Sequence, residues 1–160
     1  MILWSENWQL YFNTGKCKRM HIGTSNDKNE YTMKIGDEDT TIEECTEEKD
    51  LGVIFDTSLK FDIHINNVVN KANKILGVTR RTFEYMDPEI FGLIFKGLVR
   101  PHLEYAAPVW SPHLVKHKDL LENVQRRATK MVLGLSQLSY SERLKKLNFQ
   151  HWPTAGQEET

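Results

Sequence analysis

Two histidines stand four residues apart, at His113 and His117, and this spacing lets two side chains share one face of a helix and bind one zinc ion. A zinc site needs three or four ligands, and no cysteine or further histidine is placed to complete this one. The acidic run Asp37-Glu38-Asp39 could be a second metal site, but no apolar strand frames it to orient its carboxylates. We therefore expect surface histidines, a solvated acidic loop over residues 37–50, and no metal site.

Other arrangements that are typical of active sites are absent from the sequence. It contains no Ser/His/Asp set, no Walker loop and no glycine-rich dinucleotide loop. Tyr105 and Trp110 could stack on nucleic-acid bases. Because they stand beside Pro108 and Pro112, we expect them instead to fill the core of a small helical bundle.

Charge is distributed unevenly along the 160 residues. Residues 1–56 contain six Lys and Arg against twelve Asp and Glu, whereas residues 57–150 contain fifteen against eight. A basic half indicates a nucleic acid or another polyanion as a partner. The alternative interpretation is a solvated surface of uneven charge.

Hydrophobic periodicity predicts that a β-rich segment, residues 1–62, precedes a helical bundle, residues 63–150. The predicted strands cover residues 9–12, 18–23 and 31–35, and a hairpin is predicted over residues 51–61 with its turn at Asp56-Thr57-Ser58. The predicted fold class is therefore α+β, with a small antiparallel β piece followed by helices.

Capping signals mark where the predicted helices begin. Asp62 is a candidate N-cap, Asp87-Pro88 opens a second helix with a kink expected at Pro101, and Ser139 with Glu142 forms a capping box. A further amphipathic helix is predicted from about residue 116 to 133, closed by Gly134. Residues 151–160 have no periodicity and are predicted to form a disordered tail.

The chain carries only two cysteines, Cys17 and Cys45, which form neither a CxxC pair nor a disulfide framework. The first residues lack the charged and apolar regions of a signal peptide, and no apolar run reaches the ~20 residues of a membrane span. We expect an intracellular protein, cytoplasmic or nuclear, that has no membrane partner and is not secreted.

Five segments follow one another in a characteristic order. They begin with the run WQLYFN-TGKCKRMHIG of residues 8–23 and the run LGVIFD of residues 51–56, and continue with residues 69–83, 98–112 and 121–130. In order and spacing, these segments resemble the end of the palm, the primer-grip hairpin and the thumb of reverse transcriptases from non-LTR retrotransposons, of the LINE and jockey type. The resemblance covers residues 4–148.

The resemblance implies RNA-directed DNA polymerase as the parental activity, which uses two Mg²⁺ ions held by palm aspartates. In that family the aspartates lie in a strand-turn motif of the F/Y-A-D-D kind, and this sequence contains no such motif. The resemblance includes neither the fingers nor an endonuclease domain of that family. We therefore expect a fragment with no catalytic residues and no cofactor, inactive alone, that at most binds an RNA–DNA template–primer duplex or RNA. A small-molecule substrate is not expected.

Transferred residue by residue, the resemblance implies eight nucleic-acid contacts. They are Lys16, Gly52, Lys71, Lys74, Arg81, Arg126, Arg127 and Lys130. Lys16 matches a late-palm lysine but has no active site to serve here, so a surface lysine is the simpler interpretation. Gly52 would let a primer backbone approach closely or would be an ordinary hairpin glycine, and the six helical cations would bind phosphates or face solvent.

A different class of function is compatible with the same sequence. The helical bundle could be an interaction module that binds protein or RNA. A contiguous basic patch would favour RNA, whereas an exposed apolar face would favour a protein partner. An enzyme with its own chemistry ranks last, because no set of catalytic residues supports it.

Overall fold

The computed structural model describes residues 2–35 and 38–152 and has an α+β fold, as the sequence predicted. The chain divides into two compact units, Met1–Lys60 and Phe61–Thr160. The first contains the strands, and the second is entirely helical over its described residues.

Within its described residues, the N-terminal unit combines one short α-helix with three two-stranded sheets. The helix α1 is Ile2–Asn7, a 3₁₀ turn covers Thr14–Lys16, and the strands are β1 (Lys18–Arg19), β2 (Thr32–Ile35), β3 (Glu38–Thr41), β4 (Glu43–Glu44), β5 (Glu47–Asp50) and β6 (Val53–Asp56). The pairs β2–β3 and β5–β6 are antiparallel, but β1–β4 is parallel, which the sequence did not indicate. Among the described side chains of this unit, Val53 is the only apolar one that is buried.

The predicted hairpin lies one strand earlier than expected. Val53–Asp56 pairs with Glu47–Asp50, so the turn is Leu51-Gly52 rather than Asp56-Thr57-Ser58. Both turn residues have positive φ, 44° at Leu51 and 87° at Gly52. This is the type I′ geometry that matches the twist of a two-residue hairpin, and Gly52 supplies it without steric cost.

Two further predictions about this unit are wrong. Residues 37–50 are not a loop, because their described part contains β3, β4 and β5, although most of these side chains are exposed as expected. Residues 9–12 do not form a strand, and the strand predicted over residues 18–23 is only Lys18–Arg19. Propensity does not identify these acidic strands, because each is defined by pairing with a partner strand; an ion pair joins two paired strands, between Arg19 of β1 and Glu44 of β4 at 3.7 Å.

The C-terminal unit contains six α-helices and one π-helical turn within its described residues. They are α2 (Asp62–Thr82), α3 (Pro88–Ile94), the π turn (Phe95–Val99), α4 (Arg100–Glu104), α5 (Ala107–Trp110), α6 (Val115–Thr129) and α7 (Tyr140–Leu147). The core forms where α2 packs against α4 and α6.

Helix α2 is amphipathic and buries one face. Ile65, Val69, Ala72 and Leu76 recur at helical spacing and are all buried. The predicted N-cap is wrong, because Phe61 occupies that position in the left-handed conformation while Asp62 is already helical. The Asp62 carboxylate instead accepts hydrogen bonds from two residues of α6, as described below.

The rod of α3, the π turn and α4 is continuous through Pro101. Asp87 caps its start as predicted, accepting the backbone N–H of Ile90 at 2.8 Å. Proline lacks the N–H that an α-helix needs and crowds the preceding turn. The helix is wider just before Pro101, because the N–H of Arg100 donates to the carbonyl of Phe95, five residues back instead of four. The expected kink is thus accommodated by a π turn.

Helices α6 and α7 complete the core. Helix α6 buries Leu121, Val124 and Ala128, but it ends at Thr129, so Gly134 stands in the following turn rather than at the helix end. The Ser139 capping box is confirmed, with its hydroxyl accepting the N–H of Glu142 and the Glu142 carboxylate accepting in return.

The segment after α7 folds back onto α6. Gln125 donates from Nε2 to the carbonyl of Gln150 at 2.7 Å. The two oxygens of Glu122 lie 2.8 Å from Nδ1 of His151 and 2.6 Å from the backbone N of Trp152. Two residues of the predicted disordered tail are therefore held in place, and the remainder of that tail, residues 153–160, lies outside the described residues.

Within the described part of the chain, no helix combines the length and the apolar character that crossing a bilayer would require.

Candidate nucleic-acid interface

The exposed face of α2 presents cations and amides side by side. A shallow depression on this face, of about 600 Å³, is lined by Asn67, Asn70, Lys71, Asn73 and Lys74. Amide and ammonium groups both donate hydrogen bonds to phosphate oxygens. Lys71 and Lys74 are exposed, so their charges are available to a ligand in solvent.

A larger groove of about 680 Å³ opens where the C-terminal parts of α2 and α6 meet. The backbone N–H of Leu133 donates to the carbonyl of Met86 at 2.9 Å and so ties the segment after α2 to the segment after α6. The groove is lined by Asn73, Leu76, Gly77, Arg80, Phe83, Glu84, Met86, Arg127, Lys130 and Met131.

Asn73 lines both the depression and the groove, so the two form one continuous surface. We call this surface the basic strip and define it by its five cations, Lys71, Lys74, Arg80, Arg127 and Lys130. From residue 67 to residue 80, α2 rises by about 20 Å. This length corresponds to about six phosphates along one strand of a duplex.

The electrostatics of the basic strip are dominated by its cations. Of the residues that line its depression and groove, Glu84 is the single carboxylate. Arg80 and Arg127 also lie in the last turns of α2 and α6, where positive charge is stabilised by the carbonyl end of the helix. Stabilisation at the helix ends therefore explains why Arg80 and Arg127 stand where they do. Both side chains are exposed, so their charges remain available to a polyanion.

The structure brings together four of the six predicted helical cations, Lys71, Lys74, Arg127 and Lys130. Arg81 is exposed but does not line the strip, and its neighbour Arg80 takes the place that the sequence assigned to it. Arg80 stands seven residues after Asn73, so counting helical positions from the asparagine would have found it.

Arg126 belongs to a different contact. Its guanidinium carbon lies 4.9 Å from the centre of the Tyr140 ring, and Arg143 approaches the same ring at 5.5 Å. Cations over an aromatic face are held by the ring quadrupole. Arg126 thus joins α6 to α7 and does not extend the basic strip.

The two remaining predicted residues lie in the N-terminal unit. Lys16 ends the exposed 3₁₀ turn Thr14–Lys16, and Gly52 is the second residue of the β5–β6 turn. The hairpin alone explains the glycine, because its φ of 87° is unfavourable for any other residue.

His117 is not the surface residue that the sequence suggested. It is buried, and its Nε2 lies 2.6 Å from Oδ1 of Asp62, the same oxygen that accepts a hydrogen bond from Lys116. Lys116 and His117 together lower the pKa of the Asp62 carboxyl. The contacts of Asp62 with Lys116 and His117 join α2 to α6. His113 is exposed and is not part of these contacts.

The residues considered for metal binding and for base stacking can now be located. Nowhere in residues 2–35 and 38–152 do three His, Cys, Asp or Glu side chains form a group that could hold a metal ion. Trp110 fills the core as expected and donates from Nε1 to the carbonyl of Tyr105 at 2.7 Å. Tyr105 itself is exposed, contrary to the prediction that it would be a core residue.

No protein-family model, no curated protein and no solved structure matches this chain.

Proposed function

We propose that this chain is a non-LTR reverse-transcriptase-like protein whose helical unit binds an RNA–DNA duplex through the basic strip. The family assignment is supported by the succession and spacing of five segments, residues 8–23, 51–56, 69–83, 98–112 and 121–130. The proposal assigns no nucleotidyl transfer to the chain alone, because its sequence lacks the paired aspartates that would hold two Mg²⁺ ions.

The observation that carries the proposal is the continuity of the basic strip. Five cations, three from α2, one from α6 and Lys130 just after α6, line one surface, with Glu84 as the only carboxylate lining it. Contacts of this kind neutralise phosphates, release counterions and are independent of sequence. They suit the task of holding a template–primer duplex, whose sequence changes with every step of synthesis.

Duplex binding is tested by titrating a fluorescent RNA–DNA hybrid with the purified chain at several salt concentrations. If all five cations contact phosphates, the slope of log K against log[salt] is about −4.5. The double variant Lys71→Ala/Lys74→Ala is expected to reduce the magnitude of the slope by about 1.8, because each lost contact removes about 0.9.

A matched control removes two charges elsewhere. Lys145 and Lys146 are exposed on α7 and do not line the strip, so the double alanine variant there is expected to leave the slope unchanged. An equal reduction of the salt slope in the two double variants would mean that net charge, and not the basic strip, determines binding. Absence of binding at low salt by a folded chain would refute the proposal.

The second candidate is a protein-docking function of the same helical unit. It is favoured by Ile90, Leu93 and Leu98, which expose apolar side chains along the rod of α3 and the π turn. Sedimentation equilibrium at increasing chain concentration tests whether this face associates with a second copy. Leu93→Asp is expected to abolish such association, and association that persists in the variant would argue against this face.

A further inference from the structure

The groove at the C-terminal end of the basic strip has an apolar interior that phosphate contacts alone do not require. Leu76 and Met86 are almost fully buried beneath it, Met131 is half-buried, and Phe83 is 41% exposed at its wall. A duplex backbone presents charged phosphates and would leave the exposed parts of Phe83 and Met131 without a complementary surface.

The polar groups surround this apolar interior. Arg80, Arg127 and Lys130 line the same groove and provide positive charge, and Glu84 provides a hydrogen-bond acceptor. A nucleotide has the matching chemistry, because it joins a flat apolar base with hydrogen-bonding edges to a phosphate. The volume of about 680 Å³ is within the range of pockets that hold small organic ligands.

Gly77 adds room at the same place. It lines the groove, and a Cβ built on it would meet no atom within 4 Å. Glycine in the interior of an exposed helix is unfavourable relative to alanine. The residue thus leaves space on the α2 side of the groove that a larger side chain would occupy.

From this arrangement we propose that the groove binds an unpaired nucleotide of the nucleic acid, with its base against Phe83 and Met131 and its phosphate at the cations. The inference rests on the proposed function and refines it, since the preferred ligand becomes a duplex that contains an unpaired position. An aromatic ring and a cation are the two elements that single-strand binders combine.

The test compares two probes with the full chain. One is a perfect RNA–DNA hybrid, and the other carries one extra, unpaired 2-aminopurine, whose fluorescence falls when it stacks. We expect the second probe to bind roughly tenfold more tightly, as one stacked base provides, and its fluorescence to be quenched.

Three variants locate the effect. Phe83→Ala removes the exposed ring and Gly77→Leu fills the groove, and both are expected to abolish the preference and the quenching while preserving the salt slope with the perfect hybrid. Tyr85→Ala is the matched control, because Tyr85 is an exposed aromatic side chain nearby that does not line the groove. It is expected to behave like the unaltered chain.

The outcomes separate this inference from the proposed function. Equal affinity for the two probes, or a preference that Phe83→Ala and Gly77→Leu leave intact, would overturn the unpaired-nucleotide site and leave duplex binding standing. No binding of either probe would overturn both.

Discussion

The contact between Glu122 and the segment after α7 yields a prediction about stability. Glu122 lies on α6 with only 15% of its side chain exposed, and it accepts the backbone N–H of Trp152 at 2.6 Å. A part-buried hydrogen bond to a carboxylate contributes about 1.5 kcal/mol. His151 is 65% exposed, so its bond to the same carboxylate adds at most about 0.5 kcal/mol.

We therefore expect Glu122→Ala to lower the free energy of unfolding of the helical unit by about 2 kcal/mol. For a unit of this size, the change corresponds to a decrease in Tm of roughly 8–16 °C. Urea and thermal unfolding followed by far-UV circular dichroism measure it. His151→Ala is expected to lower the free energy of unfolding by at most about 0.5 kcal/mol.

The matched control is Asp119→Ala, which removes the same charge one turn earlier from an exposed position of α6. Its effect is expected to stay within about 0.5 kcal/mol. If Glu122→Ala costs no more than Asp119→Ala, the carboxylate does not hold residues 151 and 152, and the proposed cause of their order is refuted.

Three further predictions concern folding. Ser139→Ala should destabilise the helical unit by about 1 kcal/mol in urea unfolding, because it removes the hydroxyl of the capping box. Leu51→Asn should raise the unfolding midpoint of the N-terminal unit, because asparagine tolerates the positive φ of the β5–β6 turn better than leucine. The pKa values of Asp62 and Glu142 are lowered in the folded state, so their stabilising effect is present above about pH 4 and lost as pH falls through the folded pKa values. A pH series of unfolding curves should show this decline, with Asp62→Asn showing a weaker one.

Local signals in the sequence predicted much of the helical unit. The caps at Asp87 and Ser139 depend on residues within three positions, and the buried face of α2 follows from a repeat of 3.6 residues. Asp62 shows the limit of this reasoning. A carboxylate at this position is typical of an N-cap. The Asp62 carboxylate instead hydrogen-bonds His117, 55 residues away.

The N-terminal unit was predicted less well, because its sheets are determined by partners that propensity does not identify. Glu47–Asp50 contains four charged residues and is a poor strand by composition. It forms a strand because the Leu51-Gly52 turn places it beside Val53–Asp56. Strand pairing is a property of two segments, and the pattern of one segment does not reveal it.

The candidate interface was predicted in part for the same reason. Lys71 and Lys74 follow from the exposed face of one helix, whereas the groove is lined by residues from α2, from α6 and from the segments that follow these helices. The packing of α2 against α6 determines which of their basic residues meet. Arg80 thus replaces Arg81, and Arg126 turns to Tyr140.

The charge of β5 has a consequence for how copies of this chain behave at high concentration. Each two-stranded sheet leaves an outer edge on both strands, and edges of this kind recruit strands from other molecules. Pairing two copies through β5 in parallel and in register would place carboxylates of Glu47, Glu48 and Asp50 about 5 Å from those of the neighbour. In this arrangement the strand repels its own duplicate at neutral pH, and acidification, which neutralises the carboxylates, removes this protection against the stacking of parallel copies into fibres.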